Sequence, residues 1–124
     1  MIFGLGTDII EVERVNEKLI QDSGFKETLF TEFEIKYCES KKLSAVNYAA
    51  RYAAKEAFFK ALGTGWRNGL SFKDVEIIND ESGKPIVELY GKAREIANEN
   101  KFTNIQVSLS HLKNIVNAVV IIEK

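Results

Sequence analysis

Runs of apolar and β-branched residues give way to helical spacings and back again along this chain, and each change of period marks an element. Residues 2 to 10, IFGLGTDII, predict a first strand, central in its sheet, whose two glycines let another backbone lie close. From Glu11 onward Val12, Val15 and Leu19 recur at helical spacing, with Arg14 and Lys18 together on another face and Gly24 closing the segment. Thr31 followed by Glu34 is a capping-box pattern that opens a helix running to Ser40. Ser44 to Leu62 holds neither Gly nor Pro and is rich in alanine, which predicts the longest helix, with Gly63 as its left-handed stop.

Beyond the loop TGWRNG the pattern turns to strands. DVEIIND and PIVELYG flank the turn ESGK as a hairpin, KAREIANENK reads as a polar exposed helix, and NIQVSLSH, LKN and IVNAVVIIEK read as a second hairpin. A strand, a run of helices, a hairpin, a helix and a hairpin make the fold class α+β, as a single domain over residues 1 to 124.

Composition narrows the partners. Lys and Arg number 17 against 18 Asp and Glu, so no global field gathers nucleic acid, and an anionic partner has to meet a local patch. The start MIFGLGTDII lacks the marks of a signal peptide, the single Cys38 has no partner for an internal disulfide, and no apolar stretch approaches the roughly 20 residues that cross a bilayer. A cytoplasmic protein with no membrane role is expected.

Two carboxylates stand in apolar settings. At roughly 100° per residue, Ala45, Ala49, Tyr52, Ala53 and Phe59 share one arc of the long helix, and Glu56 and Lys60 fall inside that arc, aimed at the interior. The structural alternative is an ordinary ion pair between Glu56 and Lys60, one turn apart. Asp8 sits among Gly6, Thr7, Ile9 and Ile10, where an unpaired carboxylate costs several kcal/mol unless it is paired or binds a metal; the alternative is that it ends its strand and caps the next helix. Should the two converge, their oxygens with waters and substrate phosphates make a magnesium site.

Other candidates are weaker. His111, the only histidine, ends the strand VSLSH, and Ser108 and Ser110 beside it lack the GxSxG elbow of a serine hydrolase. Cys38 shares a short helix with Phe33 and Tyr37 and reads as core. GLGTD lacks the third glycine of a dinucleotide fingerprint, and GTGWRNG offers Trp66 to a planar group and Arg67 to an anion. Arg14 and Lys18 form a small basic pair beside Glu13 and Glu17, a solvated face or a docking patch.

Taken together, GTDIIEVERV at 6 to 15, ARYAAKEAFFKALGTG at 50 to 65 and VSLSH at 107 to 111 resemble the motifs of the holo-[acyl-carrier-protein] synthases, the small bacterial branch of the 4′-phosphopantetheinyl transferases. FTEFEIKYCE, DVEIIND and SGKP are similar to that family's connecting segments, so the likeness spans nearly the whole chain. The resemblance implies a long central helix packed on a mostly antiparallel sheet. It implies magnesium held by Asp8 and Glu56, Lys60 on the phosphates of coenzyme A, His111 close to the same nucleotide, and Arg51 with residues 63 to 65, Gly63 first, along the coenzyme surface. The implied reaction moves 4′-phosphopantetheine from coenzyme A to a serine of apo-acyl carrier protein, in support of fatty acid biosynthesis, with 3′,5′-ADP leaving. Glu56, Lys60 and His111 are then the catalytic residues, and Glu56, a water on the metal and Glu34 are the candidates for the general base. The family also implies a homotrimer with its site between subunits and a basic first helix, here Arg14 and Lys18, docking the acidic carrier. A metal-dependent nucleotide phosphohydrolase and a non-catalytic module binding an acidic partner are the competing readings.

Overall fold

Every second residue of β5 (Ile115–Glu123) is buried, and Val116, Ala118, Val120 and Ile122 all have no exposed surface. That alternation is what a strand with one covered face requires. The computed structural model describes residues 1–64 and 69–124, and Gly65, Trp66, Arg67 and Asn68 lie outside the described residues, as do the roles suggested above for Trp66 and Arg67. β5 is the middle strand of an antiparallel sheet, flanked by β1 (Ile2–Glu11) and β4 (Asn104–His111). The first strand is therefore an edge, not the centre expected of it, because the two C-terminal strands pair with each other and only β5 reaches both neighbours. A separate antiparallel pair joins β2 (Val75–Asn79) to β3 (Pro85–Leu89) across the ESGK turn.

The helix α4 (Ser44–Leu62) lies across β1 and β5. Its boundaries match the sequence reading, and Gly63 ends it at a φ of 85°. Gly4 and Gly6 make the approach possible: a Cβ on Gly4 would stand 1.9 Å from the Ala61 carbonyl oxygen, and one on Gly6 1.9 Å from that of Ala57. The apolar side of α4 buries Ala49, Ala53, Ala57, Phe58 and Phe59, and each fully buried large side chain contributes about 1.5–3 kcal/mol.

Three shorter helices precede α4. They are α1 (Val12–Gln21), α2 (Phe25–Leu29) and α3 (Glu32–Glu39). α2 is not legible in the sequence, since five residues are too few to show a period. α3 begins with the expected capping box, in which Thr31 accepts from the Glu34 amide and Glu34 accepts from the Thr31 amide at 3.0 Å. The last helix, α5 (Gly91–Glu99), is less exposed than its polar sequence suggests, because Ala93 is buried and Ile96 packs on the core. No helix among the described residues is long and apolar enough to cross a membrane.

Candidate active site

Where α4 meets β1 and the start of α1, a cleft opens between them. The cleft encloses about 630 Å³ and is lined by Asp8, Ile9, Ile10, Glu11, Arg14, Tyr52, Glu56 and Ile115. Asp8 and Glu56, forty-eight positions apart in the chain, thus share one opening. Glu56 is half-buried and Lys60 is exposed, so neither reaches the core as the helical arc implied. The sheet edge under this part of α4 leaves them facing solvent.

Lys60 does not pair with Glu56. Its Nζ donates to the Thr7 carbonyl oxygen at 2.9 Å and to Asp8 Oδ1 at 3.1 Å, so the alternative of an i, i+4 pair gives way to a bridge between helix and strand. Nor does Asp8 cap a helix. It lies inside β1 opposite Ala118, its backbone carbonyl accepts from Asn117 Nδ2 at 3.1 Å, and the residue at the start of α1 is Glu11. The Asp8 side chain keeps only 16% of its surface exposed, and a carboxylate that shielded calls for a cation beside it. Among the described residues Glu56 makes no ion pair of its own.

Tyr52, one turn before Glu56, reads in the sequence only as a core position. Its ring stacks on Phe72 at 5.9 Å with planes 7° apart, and both its burial and the nearby Glu56 carboxylate push its hydroxyl up to about 12. Tyr52 therefore stays a neutral donor beside the carboxylate throughout the physiological range. A second recess of about 370 Å³ continues the cleft, lined by Lys18, Asp22, Gly24, Phe25, Thr28, Leu29, Tyr52, Glu56 and Phe72. Arg14 opens on the first cleft and Lys18 on the second, which puts the two basic residues of α1 along one groove. Arg14 is largely exposed and paired with Glu11 at 3.3 Å, a contact of little energetic weight in water.

The other candidates stand elsewhere. His111 is exposed at the end of β4, on the same sheet face as Asp8 but two strands across, aligned through Val116 with Ile10. Its Nδ1 lies 3.2 Å from the Leu112 carbonyl oxygen, and it does not line the cleft. Arg51 lies apart from the cleft. It projects from a different side of α4, is 2% exposed, donates to Asn79 Oδ1 at 2.7 Å and lies 4.2 Å over the Tyr37 ring. Within this chain it packs α3 and β2 on α4, since a guanidinium that is stacked and bonded in this way serves as core. Gly63 serves as the helix stop.

Glu34 leaves the set of general bases. It is fully buried, Oε1 accepts from Lys55 Nζ at 2.7 Å and Oε2 from the Ile77 amide at 2.9 Å. Burial pulls the Lys55 ammonium below the usual lysine range against the opposing pull of Glu34. Cys38 is buried as expected, and desolvation pushes its thiol up to about 12, which removes it from nucleophilic chemistry.

A pair of carboxylates, a lysine on one of them and a groove that carries Arg14 and Lys18 make up the site. Residues 4–116 match the model of the 4′-phosphopantetheinyl transferase superfamily. The chain belongs to that family. A holo-[acyl-carrier-protein] synthase of Geobacter sp. (strain M21) is 46% identical over 125 residues, covering 100% of both chains, and one of Syntrophus aciditrophicus is 43% identical over 124 residues, 99% of this chain and 97% of that one. In three dimensions the holo-[acyl-carrier-protein] synthase of Neisseria meningitidis is similar with a TM-score of 0.90, at 34% identity and full coverage of both chains. The Bacillus anthracis enzyme in complex with CoA (3′,5′-ADP) has a TM-score of 0.83 at 36% identity, covering 100% of this chain and 98% of that chain. The likeness to holo-[acyl-carrier-protein] synthases read from three motifs is borne out, as is the α+β fold.

Proposed function

We propose that this chain transfers the 4′-phosphopantetheine arm of coenzyme A to a serine of an apo-acyl carrier protein at the Asp8–Glu56 cleft, in support of fatty acid biosynthesis. The observation that carries this reading is the convergence of Asp8 and Glu56 on one opening with Lys60 at its rim. Full-length relatives named for the same reaction support it.

The donor set fits magnesium. Two carboxylates, one shared with a lysine and one with no ion pair among the described residues, suit a cation, and magnesium takes one or two carboxylates and fills its other positions with water and phosphate oxygens. Asp8 and Glu56 would hold the ion, which when bound supplies positive charge to the pyrophosphate of the coenzyme. Lys60, half exposed beside Asp8, is placed to meet the same phosphates and to neutralise charge that spreads over them. In the reaction a bond forms from the serine oxygen to the β-phosphorus, the bond to the bridging oxygen breaks, and 3′,5′-ADP departs. With Glu34 occupied, Glu56 is the one of the two side-chain candidates for the general base that lines the cleft.

The carrier, an acidic protein, is proposed to dock along the groove beneath α1, where Arg14 and Lys18 lie. A homotrimer completes the proposal. On the sheet face away from α4, β1 and β5 present an uncovered apolar patch, with Leu5 64% and Ile9 68% exposed and Val119 and Ile121 beside them, and a patch of that kind marks an interface. His111, outside the cleft of its own chain, would then reach the coenzyme of a neighbour, and Gly63 would border it. A buried lone thiol suits a reducing cytoplasm.

Incubating an apo carrier with this chain, coenzyme A and magnesium, and weighing the product by mass spectrometry, tests the reading. One added phosphopantetheine arm is expected. Release of 3′,5′-ADP without carrier would favour the phosphohydrolase instead, and no turnover at all the binding module.

A further inference from the structure

Lys55 and Glu34 form a wholly buried ion pair to which the proposed reaction assigns no part. All three donors of the Lys55 ammonium are used: it donates to the Leu29 carbonyl oxygen at 2.8 Å, to Glu34 Oε1 at 2.7 Å and to the Phe72 carbonyl oxygen at 2.9 Å. The acceptors come from the end of α2, from α3 and from the 3₁₀ turn Phe72–Asp74. Apolar residues often replace a buried ion pair at no loss of stability, so stability alone is a weak reason for this arrangement.

What Lys55 holds is the wall of the recess beside Glu56. Leu29 and Phe72 both line that recess, the Phe72 ring stacks on Tyr52 at 5.9 Å, and it meets Phe59 edge-on at 5.1 Å with planes 89° apart. Tyr52 and Glu56 share the recess and the main cleft, so a shift of Phe72 moves the floor beneath Glu56 on the side of Lys18.

We propose that Lys55 is a positioning residue for the transfer: its buried ammonium fixes Leu29 and Phe72, and through them the recess by which the carrier approaches Glu56. The inference rests on the reading of the site as a carrier-dependent transferase. Lys55 touches neither substrate, and its effect falls on the carrier and not on the coenzyme.

Steady-state kinetics of the full chain separate the two. The double variant Lys55→Met with Glu34→Gln removes both buried charges together, and Phe72→Ala removes the ring that lines the recess on the backbone that Lys55 holds. Each is expected to melt cooperatively, to keep the KM for coenzyme A within about twofold, and to raise the KM for apo carrier by about tenfold or more. Unchanged carrier KM in the folded double variant overturns the proposal and leaves Lys55 a packing residue. Should the double variant fail to fold, Phe72→Ala decides by the same measurement. A wild-type chain that loads no carrier overturns the transferase reading, and the proposal with it.

Discussion

Glu56 illustrates how one side chain can be read twice. Its place in an apolar arc marks it as unusual, yet the same arc predicts burial, and the side chain is half-buried at a cleft shared with β1 and α1. Glu56→Gln keeps its shape and removes its charge, so transfer is expected to fall to about one per cent or less, on the scale of losing an electrostatic stabiliser, with the thermal melt unchanged. Loading assays on apo carrier, run beside a melt, check both halves. Cys38 carries the second prediction at this scale. Its folded value is raised from 9.0 to about 12 by burial, so the folded state holds the proton more tightly than the unfolded state does. The stabilisation from this group is complete below about pH 9 and lost as pH rises towards 12. At pH 8 a thiol-specific reagent should therefore react with Cys38 only after denaturant unfolds the chain, and prompt reaction in the native state would contradict the burial.

At the scale of elements, the β1–α4 contact decides the geometry of the site, because it carries Asp8 to Lys60 and Glu56. Gly6 is one of the two glycines at which that contact is closest: a methyl added there would stand 1.9 Å from the Ala57 carbonyl oxygen and 2.7 Å from the Ala61 amide nitrogen. Gly6→Ala must push strand and helix apart, at a cost of about 2 kcal/mol or more, and denaturant unfolding should show it. Helix α1 carries a different test. Arg14 lines the cleft and is paired with Glu11 only through a solvent-exposed contact, so reversing its charge disturbs little of the fold. Arg14→Glu is expected to raise the KM for carrier several-fold, by like-charge repulsion of an acidic partner, while that for coenzyme A holds. An unchanged carrier KM would remove Arg14 from the docking surface.

For the whole molecule, the uncovered face of the three-stranded sheet is the feature a single chain leaves unexplained. Leu5 and Ile9 project from it beside Val119 and Ile121, on the face opposite the one α4 covers. Sedimentation of the wild type should give a trimer. Leu5→Glu with Ile9→Glu should give a monomer, since burying two unpaired carboxylates costs several kcal/mol, and activity should fall with assembly. A monomeric wild type would remove the trimer from the proposal.

Much of the fold is legible in the sequence because it is set locally. The capping box of Thr31 and Glu34, the alanine-rich run of α4 with its stop at Gly63, and the alternation along β5 each depend on groups within a turn or two of one another. Asp8 and Glu56 also stand out locally, as charges in apolar surroundings. The tertiary structure alone decided their partners. Which surfaces meet sets where a long side chain finds its opposite charge: Lys60 reaches Asp8 and not Glu56, Lys55 and Glu34 close on each other inside the core, and Arg51 stacks on Tyr37 away from the cleft. Strand order has the same origin. β1 is an edge and His111 lies two strands from Asp8 because hydrogen bonding between distant segments, unlike a helical period, leaves no mark in the residues of either segment by itself.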